Sequence, residues 1–493
     1  MSRFRPPLHS GETLAPPRSR AGSRASVDTR IVRPAGSSIP AIGRPQQPQG
    51  IAILEQAPTG VVLYTLMGMY VFMHVVPWAE IMDTIIGVNI KIAVVTGTLL
   101  TLGALFSGQI GRFWRLSVAK WWMLLLGLFL AASVAGLYRR GSLTYMFGYA
   151  LRFHTFPFLL CAVAQTRDLV RQMIYWAGAG AFVILILIRR YGEYADGRLN
   201  IPNTSLANPN DLALTLLLSA VCLSCMFYSH SRMIRLIPLL ALPPALYYVL
   251  QTGSRANFLT VVVLGLAAMW SIPARMKLRL AITIPVVVVA MVILVPGSTL
   301  ERLTKIVANP IQSFTDDSEY SSAIASQMAR TRLQERAIDI ALRHPLLGVG
   351  PWEFADAVEV LVREETGNKS TWQFAHNVYL QMAAENGIPA FFLFAGLMLW
   401  ALKTNYQVHR AALRYEPMKE YEGQSICLLL LVVADGFGIA FGNYIYDANF
   451  PILVGLTAAN YMAFQKDLAA TGSLPRMQGL QIRGLQMSGL QKA

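Results

Sequence analysis

The sequence has little charge and few cysteines for a chain of its length. Charged residues make up 14% of the 493 residues, whereas hydrophobic residues make up 54%. Soluble globular domains carry about 25% charged residues, so this composition excludes an ordinary soluble protein. Thiols among apolar side chains are usually packing residues. The CxxC of Cys222 and Cys225 lies in an apolar run without a second ligand pair, so it is not interpreted as a metal or redox site.

The first fifty residues lack the apolar core of about 7–15 residues that a signal peptide requires. They are rich in Arg, Pro, Ser and Gly, a composition that does not bury a core. We expect residues 1–50 to form a disordered basic tail in the cytoplasm, where it can lie on anionic lipid.

Long apolar runs are what the sequence has in excess. Runs near twenty residues match a hydrocarbon core of about 30 Å at a helical rise of 1.5 Å per residue. The sequence therefore predicts an all-α, polytopic membrane protein of about twelve transmembrane helices. The predicted spans are 59–78, 85–106, 119–138, 144–164, 172–189, 211–229, 234–251, 256–272, 279–296, 380–402, 425–442 and 448–465.

The formal net charge of +15 follows this topology, because most basic loops fall on one side of the twelve-span arrangement. The positive-inside rule makes that side cytoplasmic and places both termini there, so nucleic acid is not an expected partner. The regions after the tail are membrane spans one to nine at 51–296, a periplasmic segment at 297–379, membrane spans ten to twelve at 380–467 and a cytoplasmic tail at 468–493.

The outer segment at 297–379 is predicted to be structured. Its amphipathic pattern indicates a helix of about twenty residues that ends before Pro345. A transporter of the major facilitator type would place its long connection between two six-span halves on the cytoplasmic side. Here the long connection follows span nine on the opposite side, which argues against that architecture.

Two histidines, His344 and His376, lie in the outer segment. Imidazole has an ordinary pKa near 6.5 and accepts a proton from a hydroxyl at neutral pH, which suits a general base. If a helix begins near Ala375, Tyr379 shares a face with His376 and Glu385 points roughly the other way. Spacing alone leaves two interpretations of His376 open, a catalytic base and an interfacial residue that ties a loop to a helix end.

Arg198 and Arg255 break the charge rule, because both lie in short outer loops. Arg255 lies where span eight begins. A helix N-terminus carries a partial positive charge, so a cation there is unfavourable unless the cation and the helix end bind one anion together. Gly253 allows a close backbone approach to such an anion. Arg198 could join Arg255 around one anion, such as a diphosphate, because guanidinium groups form bidentate hydrogen bonds to phosphate oxygens. Contact of either arginine with lipid headgroups is the alternative.

Charges inside the predicted spans usually pair or line a polar cavity. Arg152 is therefore a candidate supporting residue, with an ion pair to Asp435 as one hypothesis. The acidic residues of two outer clusters are weaker candidates for catalysis or for holding a cation. These clusters are Glu80 with Asp83, and Asp316 and Asp317 with Glu319.

Three motifs occur together in the second half of the chain: GSR at 253–255, RHPLLGVGPWEF at 343–354 and HNVYLQMAAENGIPAFF at 376–392. In their order and shared outer placement, they resemble the family of O-antigen ligases and Wzy-type polysaccharide polymerases. The resemblance is clearest over roughly 190–400 and covers the earlier spans only in number and placement.

This resemblance implies a GT-C-like, metal-independent, inverting glycosyltransferase of the bacterial inner membrane that uses no cofactor. Its donor would be a glycan on undecaprenyl diphosphate at the periplasmic face. Its acceptor would be lipid A-core for a ligase, or another lipid-linked glycan for a polymerase. By the family pattern, His376 activates the acceptor hydroxyl, while Arg198 and Arg255 hold the diphosphate. Arg152, Tyr379 and Glu385 stay as supporting residues.

A transporter or flippase of lipid-linked glycan is the competing class, because it also needs a polar cavity and arginines. It predicts that the protein forms no glycosidic bond and does not depend on His376.

Overall fold

The computed structural model describes residues 60–83, 87, 91–195, 197–271, 277, 318–369, 373–442 and 445–471. The predicted N-terminal tail and the ninth span at 279–296 lie outside the described residues. Most of the predicted C-terminal tail, from residue 472, also lies outside them.

The described chain is helical apart from one short hairpin. The first helices are α1 (Val61–Val75), α2 (Trp78–Ile81), α3 (Ile92–Phe106), α4 (Val118–Ala135), α5 (Arg139–Tyr149), α6 (Phe156–Val163) and α7 (Arg167–Tyr191). The hairpin of β1 (Glu193–Ala195) and β2 (Arg198–Asn200) follows. The remaining helices are α8 (Pro209–Ser224), α9 (Arg232–Gln251), α10 (Arg255–Ser271), α11 (Ser318–Arg343), α12 (Phe354–Thr366), α13 (Val378–Arg414), α14 (Glu422–Gly438) and α15 (Asn449–Ala470).

Seven helical segments in the described part are long and apolar enough to cross a membrane. Three shorter apolar helices, α1, α3 and α10, coincide with predicted spans one, two and eight. The helix α15 covers the predicted last span but is not one of the seven. The polytopic helical architecture is therefore confirmed, whereas the number of twelve spans stays a prediction.

Two local features depart from the predicted spans. The fourth span is not one regular helix, because a π-helical segment at Ala150–His154 joins α5 to α6. Such segments widen the helix locally and often occur at functional sites. The second feature is the antiparallel hairpin, in which Ala195 pairs with Arg198. The periodicity of the sequence did not indicate it, because each strand has only three residues.

The segment before the tenth span has a small core of its own. The predicted amphipathic helix is present as α11, and it ends at Arg343, two residues before Pro345. A second helix, α12, was not predicted. Both pack against the first turns of α13 through buried apolar residues, among them Leu333, Phe354 and Leu361. These helices therefore sit as a unit on one end of α13.

The helix α13 is kinked at Gly387, whose φ of +86° is not helical. The turn at 345–350 lies against this kink through three backbone hydrogen bonds. Ile388 N–H donates to Pro345 O at 2.8 Å, Val349 N–H donates to Ala384 O at 3.0 Å and Gly350 N–H donates to Glu385 O at 2.9 Å. Because a kink frees backbone groups that a regular helix would use internally, the turn satisfies groups that would otherwise be unpaired.

Only glycine fits at the two closest points of this contact. A Cβ atom on Gly387 would overlap the carbonyl group of Leu346, and one on Gly348 would overlap the backbone of Glu385. Both glycines also have positive φ, +86° and +65°, which other residues rarely adopt. The motifs HPLLGVG and ENG are thus the two halves of one packed contact.

We predict that Gly387→Ala destabilises the protein by about 2 kcal/mol or more, because the new methyl group meets backbone and the φ is strained. Gly396→Ala is the matched control on the same helix, since nothing lies within 4 Å of the added Cβ. It should leave stability unchanged or slightly raised. The melting temperature of each variant in detergent measures the difference, and equal values would contradict the packing described.

Candidate functional site

Arg198 is held on the turn that precedes α10. It lies on β2, and its Nε donates to Thr252 O at 3.0 Å. Its Nη2 donates to Asn210 Oδ1, also at 3.0 Å. These two bonds bring Arg198 to the segment that carries Arg255, although 57 positions separate the two arginines in the sequence. The hairpin is what presents Arg198 there.

The turn at 252–254 is fixed by buried polar side chains. Asn257 donates from Nδ2 to Ser254 Oγ at 2.9 Å and to Asn210 O at 3.0 Å. Gly253 has a φ of +58°, which lets the chain reverse before α10 begins at Arg255. The predicted position of Arg255 at a helix start is therefore correct. Asn208 caps α8, because its side chain accepts the N–H of Asn210 at 2.9 Å.

His376 does not lie on the helix, so the condition under which Tyr379 would share its face, a helix start near Ala375, is not met. The helix α13 begins at Val378, because the Asn377 side chain accepts the N–H groups of Tyr379 and Leu380 at 3.0 and 3.1 Å. Asparagine is among the best residues for this capping position, whereas alanine caps poorly. His376 stands before the cap with a φ of +52°. His376 and Tyr379 therefore do not share a helix face.

Arg330 on α11 joins the two parts of the site, and the sequence analysis missed it. Burial, and then the nearby charge of Arg255, lower the pKa of the half-buried Arg330 guanidinium, while Asp211 acts in the opposite direction. Burial, and then the charge of Arg330, lower the pKa of His376 to about 4. Arg330 is thus close to both groups, and His376 is neutral at pH 7.

A signal for Arg330 was present in the sequence. The residues at spacings of three and seven after it, Leu333 and Ala337, are buried, and both lie on the inner face of α11. At this spacing Arg330 extends the apolar stripe of the helix rather than its solvated side. By contrast, its neighbour Arg332 is exposed.

Glu385 and Tyr379 bind neighbouring backbone. The buried Glu385 carboxylate accepts the N–H of Trp352 at 3.0 Å and of Phe354 at 3.3 Å. It also accepts from Tyr446 Oη at 2.7 Å and Gln381 Nε2 at 2.9 Å. Tyr379 Oη donates to Gly436 O at 2.8 Å. Both side chains therefore hold elements around α13 in place, which is a supporting role.

The structure does not join Arg152 to Asp435. Arg152 is exposed on the π-helical segment, whereas Asp435 is only 2% exposed on α14. Neither carboxylate oxygen of Asp435 has a hydrogen-bond partner among the described residues. The backbone carbonyl of Arg152 accepts from Tyr70 Oη at 2.8 Å.

Of the two acidic clusters, only the first has described side chains. Glu80 Oε2 accepts the backbone N–H of Ser205 at 2.8 Å, so it ties the loop before α8 to α2. Asp83 is exposed. The second cluster lies outside the described residues or has no described side chain.

Comparison with known proteins bears on the second half of the chain. The family described as O-antigen ligase matches residues 240–395. This range contains Arg255, Arg330 and His376, but not Arg198 or Arg152. No curated protein matches the chain. The resemblance stated from the sequence is confirmed over this range, and the match supports a membrane glycosyltransferase activity of the ligase or polymerase type.

Glu385→Gln is expected to lower the melting temperature, because it turns an amide N–H₂ toward groups that are themselves donors. Leaving one or two of these donors unpaired costs about 1–3 kcal/mol. Glu364→Gln, an exposed site on α12, is the control and should be neutral. An unchanged melting temperature for Glu385→Gln would show that the four hydrogen bonds of this carboxylate, two of them from the 352–354 segment, do not stabilise the fold.

Proposed function

We propose that the protein transfers a glycan from a polyprenyl diphosphate carrier to a sugar hydroxyl of an acceptor, with inversion at the anomeric carbon. The observation that carries this proposal is the position of Arg330, whose charge acts on both Arg255 and His376. One place on the bundle therefore combines a cluster of guanidinium groups with a neutral imidazole. Glycosyl transfer from a diphosphate donor needs a base near the acceptor hydroxyl and positive charge near the leaving group, and these side chains can supply both.

The reaction is a single displacement. A ring nitrogen of His376 accepts the proton of the acceptor hydroxyl, and the oxygen of that hydroxyl forms the new bond to the anomeric carbon. The bond from this carbon to the diphosphate oxygen breaks, and the polyprenyl diphosphate leaves with the electron pair. Arg198, Arg255 and Arg330 are placed to stabilise the negative charge that develops on the leaving group. In this scheme the guanidinium groups supply the positive charge, so we propose that no metal is needed.

In this proposal, binding of the donor changes the pKa of His376. Burial, and then the charge of Arg330, lower the pKa of His376. A diphosphate bound beside Arg330 offsets the repulsion between the two cations, so the pKa of His376 rises, while the effect of burial remains. The histidine then becomes a stronger base when the leaving group is in place.

The finer identity follows the family resemblance. We propose a glycan on undecaprenyl diphosphate as donor, and lipid A-core or a second lipid-linked glycan as acceptor. The site would face the periplasm from the inner membrane, with both termini in the cytoplasm, because the basic loops predict that orientation. A knockout separates the two activities. Loss of a ligase leaves long glycan on the carrier, whereas loss of a polymerase leaves a single repeat on the acceptor.

His376→Ala is expected to reduce transfer by about 10²–10⁴-fold, because it removes the general base. The matched control is His344→Ala, since His344 is exposed in the same segment. Formation of the glycosidic bond by purified protein with donor and acceptor lipids is the measurement. Activity of His376→Ala within about twofold of the unchanged protein would contradict the proposed role. Absence of any bond formation by the unchanged protein would favour the transporter alternative.

Arg330→Gln is expected to shift the acid limb of the pH–rate profile to higher pH. Transfer requires neutral His376, so kcat/KM falls as the pH drops through the pKa of about 4. Removing the cation raises this pKa by the part that is due to Arg330, while the effect of burial remains, and the fall should then begin at a higher pH.

Two variants isolate the effect of the charge. Arg330→Lys keeps the cation and should keep the acid limb near that of the unchanged protein. Arg332→Gln removes an exposed cation two residues away and should not move the limb either. An Arg330→Gln profile that loses rate uniformly, without a shift of the acid limb, would contradict the coupling.

A further inference from the structure

A cleft opens at the end of the bundle where the 345–350 turn is packed. It has a volume of about 980 Å³ and lies between the start of α5 and the segment that follows Gly350. Its lining combines aromatic rings with charged groups of both signs. The lining includes Tyr138, Arg139, Arg140, Tyr145, Trp352, Glu353 and Asp356. None of them belongs to the site proposed for the displacement reaction.

Trp352 is held in an unusual conformation at this cleft. Its φ is +69°, a left-handed value that is strained for a large side chain. Its N–H donates to the buried Glu385 carboxylate, which stabilises this backbone. The Trp352 ring stacks on Tyr145, with centroids 4.5 Å apart and planes 23° from parallel, yet it remains 36% exposed. Strained residues that the surrounding structure holds in place are concentrated at ligand sites.

Glu353, the next residue, has an unused hydrogen-bond acceptor. It is only 4% exposed, and its Oε1 accepts from Ser142 Oγ at 2.9 Å. Its Oε2 is buried without a partner among the described residues. A buried carboxylate oxygen that accepts no hydrogen bond is costly, and a hydroxyl group of a ligand would remove that cost. Burial also raises the pKa of Glu353.

The cleft connects to the catalytic histidine through one aromatic contact. The Trp352 ring packs against Phe374, with centroids 5.1 Å apart, and Phe374 precedes His376 by two residues. A molecule lying on Trp352 is therefore next to the segment that carries the proposed base. On the other side of the cleft, exposed Tyr138 presents a second ring.

We propose that this cleft binds the acceptor saccharide, a proposal that rests on the proposed glycosyl transfer. The rings of Tyr138 and Trp352 offer apolar faces for the C–H surface of pyranose rings, while the carboxylates of Glu353 and Asp356 accept hydrogen bonds from sugar hydroxyls. Arg139 and Arg140 at the rim suit phosphate or carboxylate substituents on the sugar. A lipid chain would leave these charges unpaired, and a small free anion would meet the two carboxylates.

The test measures saccharide binding without turnover. The full-length protein is placed in lipid nanodiscs and mixed with oligosaccharides released by mild acid from the surface polysaccharide and the lipopolysaccharide core of the host. Saturation-transfer NMR then reports which sugar protons contact the protein. We expect saturation transfer to ring protons of at least one oligosaccharide at millimolar concentration.

Two variants locate the binding. Trp352→Asn removes the ring but keeps a residue that tolerates positive φ, and Glu353→Gln replaces the carboxylate with an amide. Each variant should raise the dissociation constant for the oligosaccharide about tenfold. Trp121→Ala is the control, because Trp121 is an exposed tryptophan on α4 outside the cleft. It should bind as the unchanged protein does.

Two results would overturn the proposed subsite. One is an absence of saturation transfer to every oligosaccharide tested. The other is equal affinity of the unchanged protein and both cleft variants. Because no lipid-linked donor is present, either result can occur while His376-dependent transfer stands. Conversely, saccharide binding with no transfer activity would refute the proposed function and leave the cleft as a saccharide site.

Discussion

The contact between the 345–350 turn and the kink of α13 at Gly387 is the constraint on which both sites depend. Three backbone hydrogen bonds and two glycines with positive φ fix the turn against the helix. The turn follows α11, which carries Arg330, and it precedes Trp352. The helix α13 begins two residues after His376. One packed contact therefore sets the distance between the proposed base, its neighbouring cation and the aromatic cleft.

The charges of the site determine which ligand it can bind and the protonation state of His376. Three arginines from different elements converge on one end of the bundle, and His376 stays neutral because burial and Arg330 disfavour its charged form. Several cations at short range repel one another, which costs free energy. An anionic ligand bound among them reduces this repulsion. Anion binding and the strength of the base are then linked, since the same guanidinium acts on both.

Part of this account could be predicted from the sequence, and part could not. Arg198 and Arg255 stood out because they break the charge rule, and the GSR and HN motifs located the site in the chain. Arg330 was missed because it lies in an amphipathic helix that also carries exposed arginines, although its spacing from Leu333 and Ala337 places it on the apolar face. The aromatic cleft depends on contact between Tyr145 and Trp352, which lie far apart in the sequence. The local sequence pattern around either residue therefore does not predict it.

The most direct test of the central claim is a cryo-electron-microscopy structure of the protein with a polyprenyl diphosphate bound in a lipid nanodisc. The account predicts density for the diphosphate within hydrogen-bonding reach of the guanidinium groups of Arg255 and Arg330, with the His376 ring facing it. A diphosphate bound elsewhere in the bundle, with these arginines directed away from it, would contradict the account.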